Sequence, residues 1–208
     1  MLEIPYVKAP DESACALACY TMVAKYFFPE TLLEEIARIS NWEKGYVAWS
    51  FRFWKWIMDK GIKIEDYDLM SLQAWADEGI EGLRKSIPEK EFKFYKENSK
   101  DLDALTEDIR KVMDHKNFIY HQQKPSLSDL AIAFNSGGVC EVVLNSRTLD
   151  SKEGFALHRV VVLDIGDKDI TFHDPRVEPR YARRESIELF QKAWLEEVSE
   201  PELCVYRK

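Results

Sequence analysis

Three side chains in this sequence could together carry nucleophilic acyl chemistry: Cys15, His158 and Asp174. A cysteine attacks a carbonyl as its thiolate. It needs a histidine to hold that charge and move its proton, and a third group to orient the histidine. Cys15 stands in Asp11-Glu-Ser-Ala-Cys-Ala-Leu-Ala-Cys-Tyr-Thr-Met22, about 140 residues before His158 and Asp174. The chemistry so offered is attack on a peptide or amide carbonyl through a covalent acyl-enzyme.

The elements that must position these groups follow from periodicity. Cys15, Ala18, Cys19, Met22, Val23, Tyr26 and Phe27 recur at spacings of three and four, which predicts a helix with one buried face over residues 13–28. Asp11, Glu12 and Ser13 precede it as capping residues, and Pro29 marks its end. A thiol in the first turn lies beside backbone N–H groups that have no partner in the helix, and these favour the thiolate. Cys19, on the same face, reads as an ordinary buried cysteine. His158 opens an apolar strand to Leu163, residues 164–168 form a hairpin connection, and Asp169–His173 returns beside it. Adjacent strands lie about 4.8 Å apart, so His158 and Asp174 fall within mutual reach, and Pro175 ends the ladder there. His173 competes on residue type, but alternation points it to the other face.

A chain of 208 residues suffices for one well-buried core and reads as a single domain, residues 1–208. The net charge of −8 and the absence of a basic stripe argue against nucleic acid as a partner. Arg180, Arg183 and Arg184 read as a solvated face. No stretch approaches a membrane span, and the N-terminus lacks a secretory pattern, so the expected location is cytoplasmic and the four cysteines are expected to be reduced. The C-x3-C pair has no Cys or His partners to complete a zinc site, and no metal or organic cofactor is expected.

Along the chain, residues 4–7 read as a short strand or extended lead-in, and Thr31 with Glu34 as a capping box. The aromatic run Trp42, Tyr46, Trp49, Phe51, Phe53, Trp54 and Trp56 accompanies a helix over 48–60 stopped by Gly61. Its rings serve as core, with some able to line a substrate groove. Residues 62–68 read as a strand, 69–87 as helical, 92–95 as a short strand and 102–113 as a helix. Then come a Ser126-capped helix, a strand over 139–144, a helix from Ser186 to about Leu195, and 203–206 as an edge strand.

The stretch Cys15-Ala-Leu-Ala-Cys19 resembles the Cys-Gly-Leu-Ala-Cys motif of the bacteriocin-leader-processing peptidases, the papain-like family-39 cysteine peptidases. Pro125-Ser-Leu-Ser-Asp-Leu, Gly137-Gly, the strand ending at Leu144-Asn145, Leu157-His-Arg-Val-Val-Val and His173-Asp-Pro follow in that family's order, so the likeness covers roughly residues 1–40 and 125–195. It implies an α+β, papain-like fold: a helical lobe and an antiparallel sheet, with a largely helical insertion at about 41–124. It implies Cys15 as nucleophile, His158 as general base and acid, Asp174 as orienting group, and a peptide or amide substrate. An acyltransferase on the same triad, or a peptide-binding protein without turnover, shares these residues. Two departures stand out: Ala16 replaces the glycine after the nucleophile, and Ala9 occupies the family's oxyanion-glutamine position six residues before the cysteine. Gln122 and Gln123 are the substitutes considered for that glutamine.

Overall fold

The computed structural model describes residues 1–208. It is a mixed α+β structure in which ten α-helices and one π-helical turn surround a single seven-stranded sheet. The strands are β1 (Lys63–Asp68), β2 (Phe118–Gln122), β3 (Val139–Asn145), β4 (Leu157–Ile165), β5 (Asp169–Asp174), β6 (Arg180–Ser186) and β7 (Leu203–Arg207). Their order across the sheet is β2-β1-β7-β3-β4-β5-β6; β1 and β2 run parallel and every other pair is antiparallel.

Both faces of the sheet are covered, and side-chain alternation sends neighbouring residues to different cores. Val161 and Leu163 of β4, with Cys204 and Tyr206 of β7, belong to the core under helices α1 (Cys15–Phe27) and α3 (Phe51–Asp59). Val160 and Val162 of β4, with Phe172 of β5 and Val205 of β7, belong to a second core. That core is closed by Leu130 of α8 (Leu127–Asn135), Phe190 of α10 (Ile187–Gln191) and Trp194 of the π-helical turn Lys192–Glu196. Burial of β3 along its whole length explains its largely apolar character, since a strand covered on both faces has no solvent side to show; Glu141 is the buried acidic exception, accepting from Tyr206 and Arg159.

Helix α1 is not the one-faced helix that its periodicity predicts. Leu17 through Ala24 are all buried, because the helix is enclosed by β4, α2 (Leu33–Ile39) and α3, with Tyr20 stacked on Phe53 at 4.8 Å. Thr31 and Glu34 form no capping box: the Thr31 hydroxyl donates to the Phe28 carbonyl, and α2 starts two residues later at Leu33. Residues 4–7 are an extended lead-in rather than a strand.

Residues 92–95 are helical, within α6 (Glu89–Asn98), not a strand. Phe94, which produced the strand-like alternation, is 45% exposed, while Phe92 is buried. Pro88 precedes the helix and Glu89 and Glu91 occupy its first turn, both favourable at a helix start. The helical segment 69–87 is divided at Gly79, whose φ of 67° only glycine adopts readily, into α4 (Leu72–Glu78) and α5 (Ile80–Ser86). Helix α7 (Leu105–Met113) follows. β7 is an interior strand rather than an edge, since β1 pairs with its outer side. Strands β2 and β6 form the true edges.

Candidate active site

Cys15 is the first residue of α1. Asp11 does not cap the helix directly. Its carboxylate accepts the Ser13 backbone N–H at 2.8 Å and the Ser13 hydroxyl at 2.7 Å, closing the turn that leads into it. Ala14 occupies the capping position and offers no side-chain acceptor. The first N–H groups of α1 therefore have neither intrahelical partners nor a side-chain cap at the turn that carries Cys15.

His158 enters from β4, opposite Leu144 of β3. Val161 pairs with His173 on β5, so continuing the register sets Val160 opposite Asp174 and makes His158 its diagonal neighbour on the same face. His158 Nε2 and Asp174 Oδ1 are 2.7 Å apart, with the imidazole donating and the carboxylate accepting. Nδ1 is then the ring nitrogen left for Cys15, the neighbour whose charge raises the imidazole. His173 stands apart from this line: its Nε2–H donates to the Ile4 carbonyl at 2.9 Å, and its Nδ1 accepts the Ala182 N–H at 3.3 Å. Both nitrogens of that buried ring are committed to the backbone, and burial holds it below the usual histidine value, hence neutral.

Asp174 is completely buried and held by more than His158. Arg176 Nε donates to both its oxygens at 2.8 and 3.0 Å, and Arg183 Nη1 donates to Oδ2 at 3.0 Å. Asp150 in turn accepts from Arg176 at 2.8 Å, Arg180 at 2.6 Å and Arg183 at 3.0 Å. Arg180 and Arg183 are thus not a solvated face. They belong to β6, whose residue Arg183 pairs with Phe172 and so points to the side of Asp174. Only Arg184 remains outside, on Asp169 at 2.6 Å. Sequence reading missed Arg176, Arg183 and Asp150; the adjacency of Arg176 to Asp174 was the one local signal for them.

The charges favour an ion pair. Burial pushes the Cys15 thiol up, but the His158 charge, its hydrogen bond and the backbone N–H of Arg159 outweigh burial and leave the thiol below its ordinary value. Burial alone would lower His158; the Cys15 charge and the Asp174 hydrogen bond raise it to about 9. Burial works against the Asp174 carboxylate, yet His158 and Arg176 hold it well below the usual range. The electrostatics therefore favour a thiolate at Cys15 beside an imidazolium at His158, with the Asp174 carboxylate behind the ring. Cys19, Cys140 and Cys204 are buried, and burial pushes each thiol up. Cys19 donates its S–H to the Arg159 carbonyl at 3.3 Å, a structural role.

Cys15 and His158 open onto a cavity of about 590 Å³. Of the aromatic run, Tyr46, Trp49, Phe51 and Trp54 line it, whereas Trp42, Phe53 and Trp56 do not. No glutamine reaches it. Ala9 is 1% exposed, a small residue in closed packing. Gln122 ends β2, separated from β4 by β1, β7 and β3, which places it and Gln123 roughly 19 Å away at the usual strand spacing. The Ser13 hydroxyl is spent on Asp11 and accepts the Gly45 N–H at 3.0 Å. The backbone N–H groups at the start of α1, left without a side-chain cap, are available as donors beside Cys15.

No protein-family model matches the chain, and no curated protein matches it. No helix is long and apolar enough to cross a membrane.

Proposed function

We propose that the chain is a thiol-dependent hydrolase of peptide or amide bonds, with a papain-like arrangement of helix and sheet in the manner of the leader-processing cysteine peptidases. The observation that carries this reading is that Cys15 and His158 line one cavity, with His158 Nε2 on the buried Asp174 Oδ1 at 2.7 Å. In the reaction, the Cys15 sulfur bonds to the substrate carbonyl carbon and the oxygen takes the negative charge, facing the first N–H groups of α1. The His158 imidazolium gives its Nδ1 proton to the leaving amine as the carbon–nitrogen bond breaks, leaving a thioester. His158, now neutral, takes a proton from water as that water attacks the thioester. The acid departs, the thiolate returns and His158 is again protonated. Asp174 holds the ring in the orientation that keeps Nδ1 toward sulfur, and Arg176 and Arg183 hold Asp174.

One observation favours a second reading, a peptide-binding protein with little turnover: no glutamine lines the cavity, and the buried Ala9 stands where the resemblance places the oxyanion glutamine. Loss of one such donor costs about 100–1000-fold in rate. Acylation by a p-nitrophenyl ester separates the two. The hydrolase reading expects a burst of nitrophenol, acyl mass on the Cys15 peptide, and a burst slowed about 100-fold or more by His158→Ala. Acylation at another residue, or a burst indifferent to His158→Ala, overturns it. A Cys15 that alkylates readily but never acylates identifies the binding protein.

A further inference from the structure

The far wall of the cavity carries groups that the proposed chemistry does not use. β1 buries alternate residues, Ile64, Asp66 and Asp68, so two carboxyls occupy positions that the strand's pattern gives to the core. Asp68 is tied down, accepting the Met70 N–H at 3.0 Å. Asp66 is not: it is 1% exposed, it lines the cavity, and its Oδ1 has no hydrogen-bond partner. Glu91 and Glu200 line the same wall, and Glu91 Oε2 is likewise buried and unpaired. The buried cation on this side, Arg159, is already forked by Glu202 at 2.8 and 2.5 Å and touched by Glu141 at 3.4 Å. Lys90 lines the cavity but is exposed.

A buried carboxyl oxygen with no partner costs about 1–3 kcal/mol, more if charged, so its retention in a cavity calls for a ligand that satisfies it. Burial, then the nearby Glu202 and Asp68, push Asp66 well above the ordinary carboxyl range, and burial with Glu91 raises Glu200 to about 7. A cation entering here would meet several acceptors, since Arg159 is already paired and Lys90, the other cation of the lining, is exposed. Trp49, Phe51 and Tyr95 line the same cavity as Cys15 and these carboxyls, and their apolar surface suits a methylene chain.

We infer that Asp66, with Glu91 and Glu200, forms a subsite for an ammonium or guanidinium group borne on a flexible chain, so that the substrate is a lysine- or arginine-bearing peptide or an acylated polyamine. This inference rests on the hydrolase reading for its placement beside the reacting carbonyl, but not for the binding itself.

The test uses the full chain and two readouts. In the first, bromoacetamides carrying an ω-aminoalkyl chain, in a ladder of methylene lengths, alkylate Cys15 in competition with their N-acetylated counterparts. At the best length the cationic label is expected to react about tenfold faster or more. Asp66→Asn should bring the ratio near one. Glu200→Gln, at a half-buried position where folding is less at risk, should lower it, and Asp103→Asn, an exposed acid outside the cavity, should not. Equal rates at every length, or a ratio that survives both Asp66→Asn and Glu200→Gln, overturn the subsite. In the second, ligand-observed NMR follows an acetylated lysine tripeptide amide, its norleucine counterpart and spermidine with the Cys15→Ala chain. Binding of the cations but not of norleucine, lost in Asp66→Asn, supports the subsite even if Cys15 proves inert, in which case the hydrolase reading fails alone. Normal iodoacetamide reactivity at Cys15 with no Asp66-dependent binding sinks the subsite alone. Preference for the lysine peptide over spermidine, or the reverse, tells which bearer of the cation the site is built for.

Discussion

At the scale of single residues, Asp174 does more than its place beside His158 discloses. It is the shared acceptor of an imidazole and two guanidinium groups in a fully buried position. Asp174→Asn keeps the shape but leaves Arg176 and Arg183 facing an amide, and unpairing a buried charge typically costs about 3–5 kcal/mol. Urea unfolding should show a loss of that order, with slower Cys15 alkylation at neutral pH because His158 loses the carboxylate that raises it. The same cluster makes the fold acid-sensitive. Arg180 and Arg183 bring Asp150 from 3.8 to about 2, against the pull of burial, and Asp174 is also depressed. A carboxyl depressed on folding stabilises the native state fully above its ordinary value and loses that contribution as pH falls through the folded value. The contribution of Asp150 should therefore be full above about pH 5 and be lost between pH 4 and about 2, so that Asp150→Asn loses less stability over that acid range than the parent chain does. A stability curve that is flat down to pH 2 would contradict the pairing seen here. The pairing of His158 with Asp174 was legible because a hairpin register is arithmetic. Arg183 was not, since charged residues at odd spacing over 180–186 gave no sign of an edge strand whose inner face is electrostatic rather than apolar.

At the scale of elements, the junction of α4 and α5 depends on the absence of one side chain. A Cβ on Gly82 would sit 1.9 Å from the Ala74 carbonyl oxygen, and that neighbour is backbone, so α5 must move away from α4. Overpacking of this kind costs about 1–3 kcal/mol or more. Gly82→Ala should lower the urea midpoint accordingly while leaving Cys15 alkylation unchanged, because α4 and α5 do not touch the triad. His173→Ala makes a contrasting case. It removes a donor to the Ile4 carbonyl and an acceptor for the Ala182 N–H, so it should destabilise by about 1–3 kcal/mol without the selective loss of thiol reactivity expected of His158→Ala. The presence of helix α1, the β4–β5 hairpin and the Ser126 cap of α8 was readable because local rules and tertiary structure agree there, while the capping box that Asp129 completes came with the structure. At 92–95 they disagreed: the alternation of Phe92 and Phe94 mimicked a strand, and tertiary packing took only Phe92.

At the scale of the whole molecule, the span 41–124 is less separable than an insertion in a finished fold. It supplies β1 and β2 to the common sheet, and β7, the end of the chain, is held between β1 and β3. It also supplies Trp49, Phe51, Asp66 and Tyr95 to the cavity that Cys15 opens onto. Trp54 Nε1 donates to the Tyr206 hydroxyl at 3.0 Å, which donates to Glu141 at 2.8 Å, joining α3, β7 and β3 in one buried line. Excision of this span should therefore leave no cooperative unfolding transition, and in the full chain the amides of β1, β7 and β3 should exchange in one slow class. Fast exchange of β1 with slow β3 would show a detachable unit instead. The mixed α+β class was legible from the alternation of helical and strand periods. The central place of β7 was not, because its pairing partner on the outer side lies about 140 residues earlier and nothing local to 203–207 encodes it.

The central claim is that Cys15 and His158 form a thiolate–imidazolium pair. It is tested most directly by mapping alkylation, by limiting iodoacetamide, across the four cysteines from acid to mildly alkaline pH. The predicted result is labelling almost wholly at Cys15 at neutral pH, persisting well below the ordinary thiol range. In His158→Ala it should slow by about tenfold or more and titrate at higher pH, because burial then acts on the thiol without the opposing cation. Preferential labelling of Cys19, Cys140 or Cys204, or a Cys15 rate and pH profile unchanged by His158→Ala, would contradict the account.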